Sequence, residues 1–458
     1  MSGIGMAQAP DTPSADTSAG QAPLPPMDTA PPDGKAAPGE FAAEDGIAAD
    51  EQASAPPARP YALVLFGASG FVGRQAAQYL AQHADMVDRP WAIAGRNQER
   101  LEAIRARCTG HLPDIVLANA DDTASLNILA SCADVVMSTA GPFAVLGSGL
   151  VAACVRQRTH YVDITGETPW VRDLIARHHA QAADDGTRIV PLCGFDSVPS
   201  DLSAFLAHST LMQRHSEPAY RVKAAFRLRG GFNGGTLASM FHLFDSGEAR
   251  MLSDPFLLNP PGLRPYSGPQ HADPSSPQWD DKLGHWLAPF YMGPINSRVV
   301  RRSAALLGFS PDFAYREYLQ TGSGIGGALA AGSLSFAEAV TQAVLNWAPM
   351  RHLIQSYAPA PGTGPSEDVM NHGSFHCEWL ARSASGKVVR GHIADVGDPG
   401  NRGTTKMLCE SALALVVNRD ELPGGPAMGG ILTPASAFGD VLVRRLRAAG
   451  MRIRVNPA

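Results

Sequence analysis

The chain has little that would tie it to a metal, to nucleic acid or to an oxidising compartment. Its six cysteines, Cys108, Cys132, Cys154, Cys193, Cys377 and Cys409, are scattered, with no C-x-x-C pair among them. That spacing argues against a zinc ribbon or a disulfide framework and fits reduced thiols in a cytosolic compartment. No His/Asp/Glu cluster has ligand spacing, so no metal is expected. Lysine and arginine total 37 against 43 acidic residues, a net charge of −6. No overall basic field exists for nucleic acid. The opening residues, MSGIGMAQAPDTPSAD, lack a basic n-region and an apolar h-region, so no secretory leader is expected. Long unbroken apolar runs are missing too. The longest, residues 322–347, is interrupted by Glu338, Gln342 and several Gly and Ser residues. It suits a buried hairpin of helices, or a surface that touches lipid, better than a membrane span.

What is present falls into distinct stretches. Residues 1–59 are rich in Ala, Pro, Gly, Ser and Asp, with one lysine, Lys35, against nine acids. Too few bulky apolar side chains occur there to offset the entropy of ordering, so a disordered acidic tail is expected. From Tyr61 strands and helices alternate. Residues 61–66 (YALVLF) form the continuous apolar run of a parallel strand buried on both faces. Helix periodicity follows over 71–84, with Val72, Ala76, Tyr79 and Leu80 on one face. Further strands are read at 91–94, 115–118, 134–139, 161–164 and 188–192, separated by helices at 97–108, 123–131, 149–157 and 169–184. Repeated βα units imply an α/β fold whose first domain, residues 60–200, is a doubly wound parallel sheet of Rossmann type. Residues 201–402 read as an α+β domain for substrate and dimerisation, and 403–458 as C-terminal helices.

Between the first strand and first helix lies Gly67-Ala68-Ser69-Gly70-Phe71-Val72-Gly73. In such a loop one glycine permits the tight turn, one lets backbone approach a pyrophosphate, and one packs helix on strand. The helix N-terminus then offers free N–H groups and a positive dipole end to the phosphates. The second strand ends in Ala94-Gly95-Arg96-Asn97, where a carboxylate would favour NAD. Arg96 suits a 2′-phosphate instead, so the expected coenzyme is NADP(H), with Arg74 assisting. Asp121 and Asp122 could meet the adenine amino group or cap a helix. Ala140-Gly141-Pro142, after the fourth strand, would pass close to the nicotinamide ribose or form a rigid turn.

Catalytic residues are less legible. Asp163, Thr165, Glu167 and Asp196 sit at the ends of later strands, where an open sheet lines its crevice. Asp163 and Asp196 are candidates for orienting substrate or relaying a proton, and each could equally cap a loop. The Tyr-x-x-x-Lys pair of short-chain dehydrogenases is absent, because Thr165 follows Tyr161 at the lysine position. Cys193 could serve a semialdehyde-type reaction but reads as buried structural thiol. His242, within a helix opened by Gly234-Gly235-Thr236, reads as packed.

These stretches occur in this order in one family. Residues 67–73, 94–96, 140–143, Tyr161-Val162-Asp163 with Gly166-Glu167, 194–201 (GFDSVPSD) and 234–239 carry the likeness. Residues 286–292, 301–307, 361–365, 373–375 and 430–439 extend it. From about residue 60 to 450 the chain resembles the saccharopine dehydrogenase-like oxidoreductases, the group that includes trans-acting enoyl reductases. The resemblance implies a Rossmann domain followed by an α+β domain with a sheet, and a helix at 403–417 returning to pack on the first domain. It also implies coenzyme contacts at Gly67, Gly70 and Gly73, and it maps no catalytic acid. The expected activity is NADP(H)-dependent reduction of a small-molecule or lipid-like substrate such as an enoyl group. A non-catalytic NADP-binding scaffold at a membrane is the alternative. A homodimer, and a cytoplasmic location with peripheral contact at the inner face of the plasma membrane, fit either reading.

Overall fold

The computed structural model describes residues 59–456 other than 232, 266, 267 and 361; the tail read at 1–59 lies outside the described residues, save for Arg59. Two seven-stranded sheets organise the chain. The first contains β1 (Tyr61–Phe66), β2 (Trp91–Gly95), β3 (Asp114–Leu117), β4 (Ala133–Ser138), β5 (His160–Asp163) and β6 (Arg188–Val190). The second contains β7 (Arg221–Arg229), β8 (Gln278–Asp280), β9 (His285–Pro289), β10 (Ala314–Gly322), β11 (Ser374–Arg382) and β12 (Val388–Val396). Late in the chain β13 (Gly430–Ile431) joins the first sheet and β14 (Arg452–Val455) the second.

The first sheet runs β13-β6-β5-β4-β1-β2-β3, every pairing parallel. Leu63, Val64 and Leu65 are fully buried at its centre, which is why their run shows no alternation. Strand order reverses between β1 and β4, where Phe66 pairs with Ser138, so their C-terminal ends open the ligand crevice. The second sheet runs β14-β12-β11-β7-β10-β9-β8 and is mixed, with β7 and β10 parallel.

Residues 403–458, read from the sequence as helices, also supply β13 and β14 to the two sheets. The helix Thr404–Val417 packs on the first-domain helix Phe71–Gln82 and on β4 and β5. Buried arginines tie the late segments down. Arg188 donates to the carbonyls of Ala437, Pro423 and Gly425, and Arg302 to those of Leu258 and Ile431. Each guanidinium thereby satisfies backbone acceptors that burial would otherwise strand.

The apolar tract at 322–347 is not a buried hairpin. It forms the helix Gly324–Asn346, followed by Ala348–Tyr357, and within the first of these Gly327, Ala331 and Leu345 are the buried residues.

Candidate active site

At the end of β1 the chain turns through Gly67, which has φ +85. A Cβ there would stand 2.8 Å from the Ala140 nitrogen, and one on Gly73 would stand 2.3 Å from the Gly67 carbonyl oxygen. Both sites therefore demand glycine. The Gly70 N–H donates to the Gly67 carbonyl at 2.9 Å and closes the turn. Gly70 is also the N-cap of Phe71–Gln82, and no side chain caps that helix. Its leading amides and dipole are left for an anion. Ala68 and Val72 are buried and Ser69 half-buried, so backbone rather than side chain faces the crevice here. The turn fits a dinucleotide pyrophosphate.

A loop of the second domain roofs this turn. The Phe71 ring occupies the space that a Cβ on Gly364 would need, at 2.5 Å. Arg74 lies over the Phe71 ring and donates to the Gly362 carbonyl at 3.3 Å. Arg74 thus holds the roof down, while Arg96, at the end of β2, is exposed. Among the described residues Arg96 makes no hydrogen bond or ion pair, which leaves its guanidinium for a 2′-phosphate. The two neighbouring aspartates separate. Asp122 accepts from the Ala124 N–H at 3.0 Å and caps the helix Thr123–Ser131, whereas Asp121 is exposed in the turn before it. Across the crevice Ala140 abuts Gly67, followed by a cis Gly141–Pro142 peptide. Glu167 then fixes the backbone beyond Pro142, accepting from the Phe143 and Ala144 N–H groups at 2.9 and 2.8 Å. It also accepts from the Ser239 hydroxyl at 2.7 Å, joining this loop to the second-domain helix Gly234–Asp245.

The two candidate acids have different surroundings. Asp163 is fully buried at the end of β5 and accepts from Thr165 N–H, Leu192 N–H and the Tyr161 hydroxyl at 2.9, 3.1 and 3.0 Å. Burial pushes its carboxyl up to about 7, with the three donors pulling the other way. It is a clasp between the β5 and β6 loops. Asp196 is half-buried, and burial alone pushes its carboxyl up to about 6. Among the described residues it makes no hydrogen bond or ion pair. Its neighbours include Gly166 and Ile295, since a Cβ on Gly166 would meet Asp196 Oδ2 at 3.6 Å and Ile295 Cδ1 at 3.8 Å.

Tyr291, just past β9, was not singled out by sequence reasoning. Burial raises its phenol, and the charges of Asp196, Asp398 and Glu338 add to the effect in that order. The four groups therefore share one region, although they come from distant parts of the chain. Asp398 in turn accepts from Asn401 N–H at 2.8 Å and from Gly231 N–H at 2.5 Å, and Asn401 accepts from Asn233 at 2.9 Å. This network sets the entry to the helix Gly234–Asp245. Asn233 caps that helix through the Thr236 N–H, and His242 within it is half-buried.

Other candidates drop away. Cys193 is wholly buried, its thiol is raised well above the usual range by burial, and it donates to the Val190 carbonyl. It cannot serve as a thiolate nucleophile. Arg227 and Arg229 are exposed on β7. A cleft of about 550 Å³ runs along Phe71–Gln82 between Arg74, Arg107 and Arg402. It lies beside that helix and not at the strand ends, so it is not the reaction crevice.

A glycine turn at the switch point of a parallel sheet, roofed by a mixed-sheet domain, defines a dinucleotide-dependent oxidoreductase. Comparison with known proteins narrows the class. The family model for the saccharopine dehydrogenase NADP binding domain matches residues 63–190. A Mycobacterium tuberculosis protein named as a candidate trans-acting enoyl reductase is 37% identical over 421 residues, covering 86% of this chain and 97% of its own. A Mycobacterium bovis protein named trans-acting enoyl reductase is 33% identical over 414 residues, covering 86% of this chain and 98% of its own. Among solved structures, apo saccharopine dehydrogenase (L-Glu forming) from Saccharomyces cerevisiae superposes with a TM-score of 0.50 at 12% identity, over 86% of this chain and 99% of that one. That likeness concerns the fold. The chain belongs to the saccharopine dehydrogenase-like oxidoreductases, the family that includes the trans-acting enoyl reductases, and it is NADP-dependent.

Proposed function

We propose that the chain reduces the activated carbon–carbon double bond of an apolar, lipid-linked acyl substrate, with Asp196 delivering the proton. The observation that carries this reading is the state of Asp196, a half-buried carboxyl that forms no hydrogen bond among the described residues and sits near the end of β6. Asp163 and Glu167, the other acids considered at the later strand ends, are committed to backbone amides. The names of the curated relatives supply the enoyl group. The missing Tyr-x-x-x-Lys pair leaves the reaction without the usual acid of short-chain dehydrogenases. Asp196 makes no ion pair among the described residues, and its carboxylate would repel a substrate carboxylate. A neutral acyl thioester suits the site better than an amino acid.

NADPH, when bound, supplies the hydride. The amides after Gly70 would hold its pyrophosphate and Arg96 its 2′-phosphate, with Ala140, Gly141 and Pro142 on the side of the nicotinamide ribose. Asp196 in its protonated form gives a proton to the α-carbon as negative charge develops there, and its carboxylate regains a proton from water in the crevice. A general acid is most effective with a pKa near the working pH, and a carboxyl at about 6 satisfies that. The test is NADPH oxidation against enoyl thioesters of increasing acyl length, with ketones and imino acids alongside. The expected result is turnover of the enoyl thioesters, rising with chain length. Turnover confined to charged imino acids would contradict the reading.

A further inference from the structure

The helix Gly324–Asn346 is amphipathic in the wrong sense for a water-soluble surface. Its buried residues Gly327, Ala331 and Leu345 define the face turned to the protein. Glu338 and Gln342, hydrogen-bonded to each other at 3.0 Å, fall on that same face by helical spacing. The opposite face carries Ile325, Leu329, Phe336 and Val340, and Trp347 continues it just past the helix end. Ile325 is 81% exposed, Leu329 68%, Phe336 72% and Trp347 59%. The next helix, Ala348–Tyr357, extends the surface with Leu353, Ile354 and Tyr357, the last 84% exposed. Together these side chains expose apolar area on the order of 1,000 Å², beyond the few hundred Å² usual for the largest patch of a soluble monomer.

Charge selects the occupant. Between Glu317 and Glu367 the formally charged residues are Glu338 and Arg351, in a chain where 17% of residues are charged. Glu338 is half-buried, and Arg351 is buried and paired with Asp245 at 2.6 Å. The outward face therefore offers no lysine or arginine to an acidic carrier domain or to anionic headgroups and no carboxylate to a basic partner, and the exposed His352 is paired with Asp245 at 3.4 Å. What complements an uncharged apolar face edged by Trp347 and Tyr357 is the boundary between headgroups and acyl chains, where amphipathic aromatic rings settle.

We infer that Gly324–Asn346 and Ala348–Tyr357 form a docking surface that lies in the outer layer of a lipid bilayer. Binding is driven by apolar area, so it differs from polybasic attachment in being nearly independent of salt and of anionic lipid. The surface stands on its own observations. It survives if the substrate proves not to be an enoyl thioester, and its failure leaves the Asp196 reading untouched.

The test is flotation of the purified full chain with vesicles of phosphatidylcholine, alone or mixed with phosphatidylglycerol, at low and high salt. The protein is expected to float with both compositions at both salt levels. The double variant Leu329→Gln/Phe336→Gln should lower the floated fraction about tenfold or more, from the loss of two buried apolar side chains. Its NADPH affinity by calorimetry should stay unchanged, which verifies the fold. Flotation that requires phosphatidylglycerol, vanishes at high salt or persists in the double variant overturns the inference. So does a wild-type chain that never floats, whether it sediments as a monomer or as a dimer that the double variant dissolves. The dimer result would assign the face to a second copy.

Discussion

The loops after β5 and β6 lie side by side and each carries an aspartate, yet they treat it in opposite ways. The β5 loop folds back around Asp163, spending its three acceptor contacts on Thr165, Leu192 and Tyr161. The β6 loop leaves Asp196 half-buried, with no hydrogen bond among the described residues. Burial raises both carboxyls, Asp163 to about 7 and Asp196 to about 6, but a carboxylate ringed by donors is fixed in place and holds structure, whereas one without donors has its geometry left for substrate. Burial by itself does not mark a catalytic acid. The distinction lies in where the hydrogen bonds go.

The largest expected effect comes from the open member of the pair. Asp196→Asn should lower turnover about 10²–10⁴-fold, the range for losing a general acid, while NADPH affinity by calorimetry is unchanged. Equal loss in Asp163→Asn would erase the contrast between the loops. A control away from both is Arg96→Ala, which should weaken NADPH relative to NADH by about 1.5–3 kcal/mol, as expected for a charge-assisted contact. Matching losses for the two coenzymes would place the 2′-phosphate elsewhere.

Asp163→Asn should instead cost about 1–3 kcal/mol of stability in urea titrations, because an amide NH₂ replaces an oxygen facing backbone donors. Its pH signature is smaller and sharper. The folded pKa of Asp163, about 7, lies above the unfolded value. Its contribution is therefore whole below the unfolded pKa of about 3.9 and is lost as pH rises through the folded one. Scanning calorimetry across that window should show a shallower loss of Tm with rising pH in the variant than in the wild type. The smallest effect is expected at Ser239→Ala, which removes one bond to Glu167 and should cost about 0.5–1.5 kcal/mol. A loss of turnover beyond what that stability change explains would mean that Ser239 touches substrate.

The first sheet was readable because its strands are continuous apolar runs punctuated by a glycine turn, and local pattern suffices for that. Residues 123–131 were read to the residue, since Asp122 and the apolar spacing mark both ends. β13 was not legible: two residues, Gly430 and Ile431, carry no periodicity and become a strand only by pairing with β6 across the chain. Tyr291, Asp398 and Asn401 were equally hidden, because loop packing and not local sequence brings them toward the crevice. Nothing in the sequence separates Asp163 from Asp196. Both follow short apolar strands, and the difference depends on how the next few residues fold back. For the tract at 322–347 composition left a buried hairpin and an outward apolar surface equally open, and only the fold, which turns an apolar face outward, excludes the hairpin.

The pH dependence of enoyl-thioester reduction at saturating NADPH, in wild type and Asp196→Asn, tests the account most directly. The wild-type rate should fall as pH rises through about 6, the point at which Asp196 loses its proton, and the variant should be slow and flat across that range. A variant with undiminished turnover and the same limb would contradict the assignment.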